Sequence, residues 1–109
     1  MVQMVSESEL EAAILAKLDP TIRFCAEVSG MIDVHTGDDA TKDRVRKMVE
    51  HVRREAAAFA VRVESSGPFA TAADVERVMR REFEPLALAR SGTLDLLERL
   101  VERGQLADV

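Results

Sequence analysis

The sequence predicts an all-α fold, a small bundle of about five helices with a long third helix at its centre. Three observations carry this expectation. Apolar residues recur at helical spacing in five stretches, and the stretches are punctuated by Ser, Thr or Asp before them and Gly or Pro after them. In the third stretch the spacing runs 4-3-4-3-4 without a break. The aromatic content of 4% and the absence of Trp and Tyr leave an aliphatic core of Val, Leu, Ile, Ala and Met. With 109 residues, 47% of them hydrophobic and 32% charged, the chain is expected to form one domain, 6–109, behind a disordered leader, 1–5.

Ser6 followed by Glu9 is a capping-box pattern, and it opens a helix to about Leu18 whose inward stripe is Leu10, Ala13, Ile14 and Leu18. Asp19-Pro20 reads as a restart, with Asp19 as N-cap and Pro20 at the first helical position, where a missing N–H costs nothing. The second helix then runs to about His35, with Gly37 as its left-handed stop. Residues 22–29 also alternate in the manner of a strand, but the helical stripe Ile22, Cys25, Val28, Ile32, His35 continues beyond them.

Asp38, Asp39 and Thr41 open the third helix, about 41–64, with negative charge against its positive end. Val45, Val49, Val52, Ala56, Phe59 and Val63 make a heptad seam flanked by Met48 and Ala60. Some 24 residues at about 1.5 Å each span roughly 36 Å. A compact domain of this size has a radius of gyration near 13 Å, so the helix is expected to cross all of it. Ser65-Ser66-Gly67-Pro68 ends it. Thr71 with Asp74 starts a fourth helix along Val75, Val78, Met79, Phe83 and Leu86, which Pro85 must kink or end because it has no N–H for the Arg81 carbonyl. Ser91-Gly92 is expected to separate a fifth helix, about 93–103, with Leu94, Leu97, Leu100 and Val101 inward and Gly104 as its stop.

Charge and motif content limit the function. The net charge is −5, which argues against broad phosphate binding. It is distributed unevenly: residues 1–41 carry eight acids against Lys17 and Arg23, whereas residues 42–64 carry seven Lys and Arg against four acids. The lone Cys25 excludes an internal disulfide and fits a reducing, cytoplasmic location; the acidic N-terminus lacks the pattern of a secretory signal. Cys25 lies on an apolar stripe, with His35 nearly three turns away, so no local base would activate it. Asp33, His35, Asp38 and Asp39 cluster around Gly37, but their carboxylates suit capping better than metal ligation. No Gly-rich phosphate loop, nucleophile elbow, or zinc-binding pattern occurs. No catalytic residue, metal or cofactor is therefore expected.

Two stretches resemble known families. Residues 50–59, with His51 and Arg54 three positions later, are similar to the phosphoacceptor helix of histidine phosphotransfer domains, which are four-helix bundles; Glu55 departs from the small residue favoured there. That resemblance implies phosphotransfer through His51. Residues 86–106 are similar in rhythm to a winged helix-turn-helix and imply a DNA-binding regulator of degenerate helix-turn-helix type. The face that would meet DNA offers Thr93, Asp95, Glu98, Arg99 and Glu102, and its three carboxylates are the wrong chemistry for phosphate.

A different function fits the helices and their charges better: a small regulatory or adaptor protein acting through helix-mediated protein–protein contact, as a homodimer. The expected surface is Met48, Val49, Val52, Ala56, Phe59, Ala60 and Val63; the competing expectation is that the same helix is only the spine of a monomeric bundle, covered by the stripes of the other four. The basic face of the same helix, Lys42, Arg44, Arg46, Lys47, Arg53 and Arg54, would complement the acidic N-terminal helices.

Overall fold

The computed structural model of the protein describes residues 4–35 and 38–105, with the His35 side chain outside that set. The order is α1 (Glu7–His35), α2 (Asp39–Ser65), α3 (Ala72–Glu82) and α4 (Glu84–Glu102), with no strand among the described residues. The chain runs out along α1, returns along α2 and goes out again along α3 and α4. The result is a rod of 61 × 19 × 19 Å with a radius of gyration of 17.1 Å. The roughly 13 Å expected of a compact chain is exceeded because α1 and α2, of 29 and 27 residues, lie side by side instead of folding back on themselves.

The local start signals act as expected. The Ser6 hydroxyl oxygen accepts from the Glu9 backbone N–H at 3.2 Å and donates to the Glu9 carboxylate at 3.0 Å. Asp38 accepts from Thr41 N–H at 2.6 Å, and Thr71 Oγ1 accepts from Asp74 N–H at 3.2 Å. Ser66 closes α2, and Gly104, at φ +70°, turns the chain after α4. Gly37, expected to stop the second helix, lies outside the described residues.

Four helices replace the expected five, through two mergers and one break. Asp19-Pro20 does not restart the chain: Pro20 lies within α1, and Asp19 forms an exposed ion pair with Arg23 at 3.0 Å. The inward stripe Ile14, Leu18, Thr21, Cys25, Val28, Ile32 stays in phase across the proline, so one helix buries what two were expected to bury. Ile22, expected to face inward, is exposed. Ser91-Gly92 likewise lies inside α4, where the buried row Leu86, Ala89, Thr93, Leu97, Leu100 outweighs the cost of one helical glycine, about 1 kcal/mol. Leu94 turns outward, and Leu96 takes a buried place beside Leu97. Pro85 does break the ladder, and Phe83 stands between α3 and α4.

α2 is the spine, packing on α1 along one flank and on α3 and α4 along the other. Val45, Val49, Val52, Phe59 and Val63 are fully buried. The Phe59 ring meets Phe83 edge-to-face, with centroids 5.6 Å apart. Two cations close the remaining side between α1 and the outgoing pair: Lys17 lies 4.8 Å over the Phe83 ring and Arg90 5.2 Å over the Phe24 ring. Val5, expected in the disordered leader, donates its N–H to the Phe69 carbonyl at 2.9 Å and packs on the core.

Candidate interaction surface

The seam expected to meet a partner faces the protein's own core. Val49, Val52, Phe59 and Val63 are buried, while Met48, Ala56 and Ala60 are half-buried at its edges. A 4-3 spacing specifies that a helix buries a narrow stripe; it does not specify against which chain. Here α1, α3 and α4 provide the cover.

The basic residues of α2 do not share one face. Arg46 and Arg53 lean toward α1, where Arg46 Nη2 stands 3.2 Å from Asp33 and Arg53 Nη2 donates to Ser29 Oγ at 3.4 Å. Arg44 lies on the opposite flank, in a groove shared with Gly92 and Leu96 of α4. Lys47 pairs with Asp43 one turn back at 3.0 Å. Arg54 is exposed and Lys42 half-buried. Exposed pairs of this kind contribute little to stability, up to about 1 kcal/mol each; their value is positional.

That positional information locates an apolar surface. Seven residues before Ser29 on α1 stands Ile22, and seven before that Leu15. Seven after Arg53 on α2 stands Ala60, beside Ala57 and Val61. Counting back from the Asp33–Arg46 pair along two antiparallel helices sets Ile22 opposite Ala57, Val61 level with Leu18, and Leu15 level with Glu64. The flank between α1 and α2 is thus bridged by polar groups in one half, while in the other the exposed Asp19–Arg23 pair stands beside a row of larger apolar side chains. In that other half Leu15, Ile22 and Val61 are 61%, 52% and 61% exposed, and Ala57 is exposed as well. Single exposed apolar residues are ordinary on a protein surface; three larger ones near one another on two helices are the candidate considered below. The outer end of this half is acidic, with Glu7, Glu11 and Glu64 around one pocket.

Other places offer less. A groove of about 520 Å³ between α1 and α3, lined by Ala13, Ala16, Val75 and Met79, has Lys17 and Arg80 at its rim. Arg80 pairs with Glu76 at 3.4 Å and Lys17 is committed to Phe83, so no polar group converges on a ligand there. Cys25 is buried; burial pushes its thiol pKa up, and the nearby Arg53 and Arg90 only partly offset this. That is the reverse of nucleophile activation.

His51 is exposed on α2 with Arg54 exposed three residues on, and the half-buried Glu55 adjoins them. Asp33 is engaged by Arg46 and Asp38 by its capping bond, the backbone N–H of Thr41 holding the Asp38 carboxyl below its ordinary value. No group of three or more potential metal ligands occurs among the described residues. The helix-turn-helix of 86–106 has no turn, because α4 is continuous from Glu84 to Glu102; Leu106 lies outside the described residues. No described helix is long and apolar enough to cross a membrane.

The break that the sequence predicts at Pro20 parts Leu15 from Ile22. With Leu15 and Ile22 on separate helices, their heptad relation has no meaning; on one helix it puts them on one face. Comparison of the chain with protein-family models, characterised proteins and solved structures finds no match.

Proposed function

We propose that the protein is a small cytoplasmic regulatory or adaptor protein that works by helix-mediated protein–protein contact, and that its contact surface is the half of the α1–α2 flank that carries the larger apolar side chains. The carrying observation is the row Leu15, Ile22 and Val61, more than half exposed and adjoining Ala57 on two rigid helices. Ala57, with Ala60 half-buried behind it, leaves room for another helix to approach, and the larger residues beside them supply apolar area at about 25 cal/mol per Å² buried. The rods of α1 and α2 fix these side chains in advance, so binding orders little. A free, buried cysteine suits a reducing compartment. The acidic overall charge and the division of the α2 arginines between two flanks disfavour a nucleic-acid reading.

Photo-crosslinking in extract of the source cells tests this. A benzophenone side chain at position 22 should give covalent protein adducts that the same group at the exposed Glu98 does not. Equal labelling at the two positions would remove the reading.

A further inference from the structure

We propose that the groove between α2 and α4 is a further binding site, for an acidic segment of a partner protein in which carboxylates adjoin aliphatic side chains. It lies on the other flank of α2 from Leu15, Ile22 and Val61 and does not depend on the reading given to them. The first observation concerns cations. Most arginine side chains are engaged within the chain. Arg23, Arg46, Arg62, Arg77, Arg80 and Arg81 pair with carboxylates, Arg53 donates to Ser29, and Arg90 lies over Phe24. Among the described residues Arg44, Arg54, Arg99 and Arg103 have no such partner. Two of these four, Arg44 and Arg99, line one groove of about 430 Å³. Lys47 lines it too and pairs with Asp43, the carboxylate of the lining, at 3.0 Å. Three cations thus face one acid in a chain of net charge −5.

The second observation concerns the floor. A methyl group on Gly92 would lie 3.7 Å from Met48 Cε, an ordinary van der Waals contact. α2 therefore does not require a glycine at this point, although glycine is the poorest helix former after proline. The missing side chain leaves depth in the groove, beside the half-buried Met48 and the buried Leu96. Met48 against Gly92 also sets the register of the two antiparallel helices. It puts Leu96 level with Arg44 and Arg99 level with Thr41, so Arg44 and Arg99 stand about 5 Å apart along the rod. Two guanidinium groups at that offset can reach one carboxylate. The aliphatic neighbour of that carboxylate would rest on Met48, whose flexible thioether adapts to varied shapes. A nucleic-acid strand suits the groove less: no aromatic side chain lines it for stacking, and the overall charge repels a polyanion. A free anion would leave the apolar floor unused. Recognition of acidic motifs by clustered arginines is the mode that uses both parts of the groove.

The test is a 15N NMR titration of the purified protein with a pool of short peptides, blocked at both ends, each carrying a pair of Glu among Leu, Val and Ala. Saturable shifts should fall on the amides of Arg44, Met48, Gly92, Leu96 and Arg99, and a matching pool with Lys for Glu should give none. Affinity should fall with salt. Arg44→Gln and Arg99→Gln, both at exposed sites, should leave the circular dichroism unchanged and each weaken binding about 5-fold. Arg54→Gln removes the same charge outside the groove and should leave the affinity unchanged. Gly92→Ala should raise the melting temperature, because alanine is the better helix former, and yet weaken binding, because it fills the floor. Absence of shifts with the acidic pool overturns the proposal. Equal losses from Arg54→Gln and Arg44→Gln would mean diffuse attraction and overturn the groove as a site, as would a Gly92→Ala variant that binds like the parent. A short single-stranded oligonucleotide that shifts the same amides at lower concentration than the peptides, or inorganic phosphate that does so as effectively, displaces the acidic segment as occupant and overturns the proposal. If crosslinking at position 22 fails while these shifts appear, the flank reading falls and this site stands.

Discussion

Pro20 and Pro85 each remove one bond from a helical ladder, and the two removals end differently. α1 runs through Pro20 as one helix, whereas α3 stops short of Pro85 and α4 begins at Glu84 with Pro85 in its first turn. The phase of the apolar stripe does not distinguish them, because it continues across both. What differs is the surroundings. Ala16, whose carbonyl Pro20 cannot serve, and Pro20 itself are exposed, so water is at hand for the freed acceptor. At the other site α2 acts on the broken chain. Arg62 Nη2 donates to the Glu82 carbonyl at 3.0 Å, and Arg62 Nε stands 3.2 Å from the Glu82 carboxylate, an ion-pair distance without hydrogen-bond alignment. The Phe83 ring, placed by the break, packs edge-on to Phe59. A proline therefore ends a helix where a neighbouring element holds the ends apart, and is absorbed where only solvent meets it.

Truncating the residue that anchors the break should have the largest effect. Phe59→Ala removes a fully buried ring and its partner for Phe83, and should cost about 3–5 kcal/mol in urea unfolding. A loss below about 1 kcal/mol would mean that α2 does not hold α3 and α4 in place. The sharper experiment exchanges the two prolines. Pro20→Ala restores an interior bond and should stabilise by about 1–3 kcal/mol, whereas Pro85→Ala at the start of α4 should change stability by less than about 0.5 kcal/mol. Equal gains at both sites would erase the distinction drawn between them.

A smaller effect is expected one residue after Pro20. Thr21 is 1% exposed and its hydroxyl has no hydrogen-bond partner among the described residues, while the buried Thr93 of α4 donates to the Ala89 carbonyl at 3.0 Å. Thr21→Val should stabilise by about 1 kcal/mol and Thr93→Val should not. Thermal unfolding of the pair checks this, and a destabilised Thr21→Val would point to an unseen partner for the hydroxyl. The smallest effect belongs to a helix start that needs no proline. The folded Asp38 carboxyl titrates below its ordinary value because it accepts from Thr41. Its contribution is present above the unfolded carboxyl range and fades as pH falls through the folded value. Melting temperatures of the parent and Asp38→Ala should therefore differ near pH 6 and converge as acid protonates the cap. A constant gap would assign the cap no role.

The same contrast explains how much could be read from sequence. Caps are local, so Ser6, Asp38 and Thr71 declared three helix starts from their neighbours alone. Helical class was also local, set by the phase of stripes such as Val45 to Val63. The fates of Pro20 and Gly92 are tertiary: each depends on a stripe that resumes beyond it and on what packs above. The proposed contact surface inherits that dependence. Ala60 is legible as a flank of the α2 seam, whereas Leu15 and Ile22 fall on one face only when α1 is one helix. The seam residues form the narrow apolar stripe that their spacing predicts, and within the chain α1, α3 and α4 cover it; spacing carries no record of which chain supplies the cover.

The rod shape has a hydrodynamic consequence. A 12.1 kDa body 61 Å long and 19 Å wide drags more water than a sphere of equal mass. Its single copy should leave a sizing column early, at the volume of a heavier globular standard, so elution alone would counterfeit a pair. Tumbling is anisotropic for the same reason. The helices run along the long axis, and their amide N–H vectors lie nearly parallel to it, so 15N relaxation should report slow reorientation uniformly through α1, α2 and α4. The link 66–71, whose amides point elsewhere, should depart from that plateau.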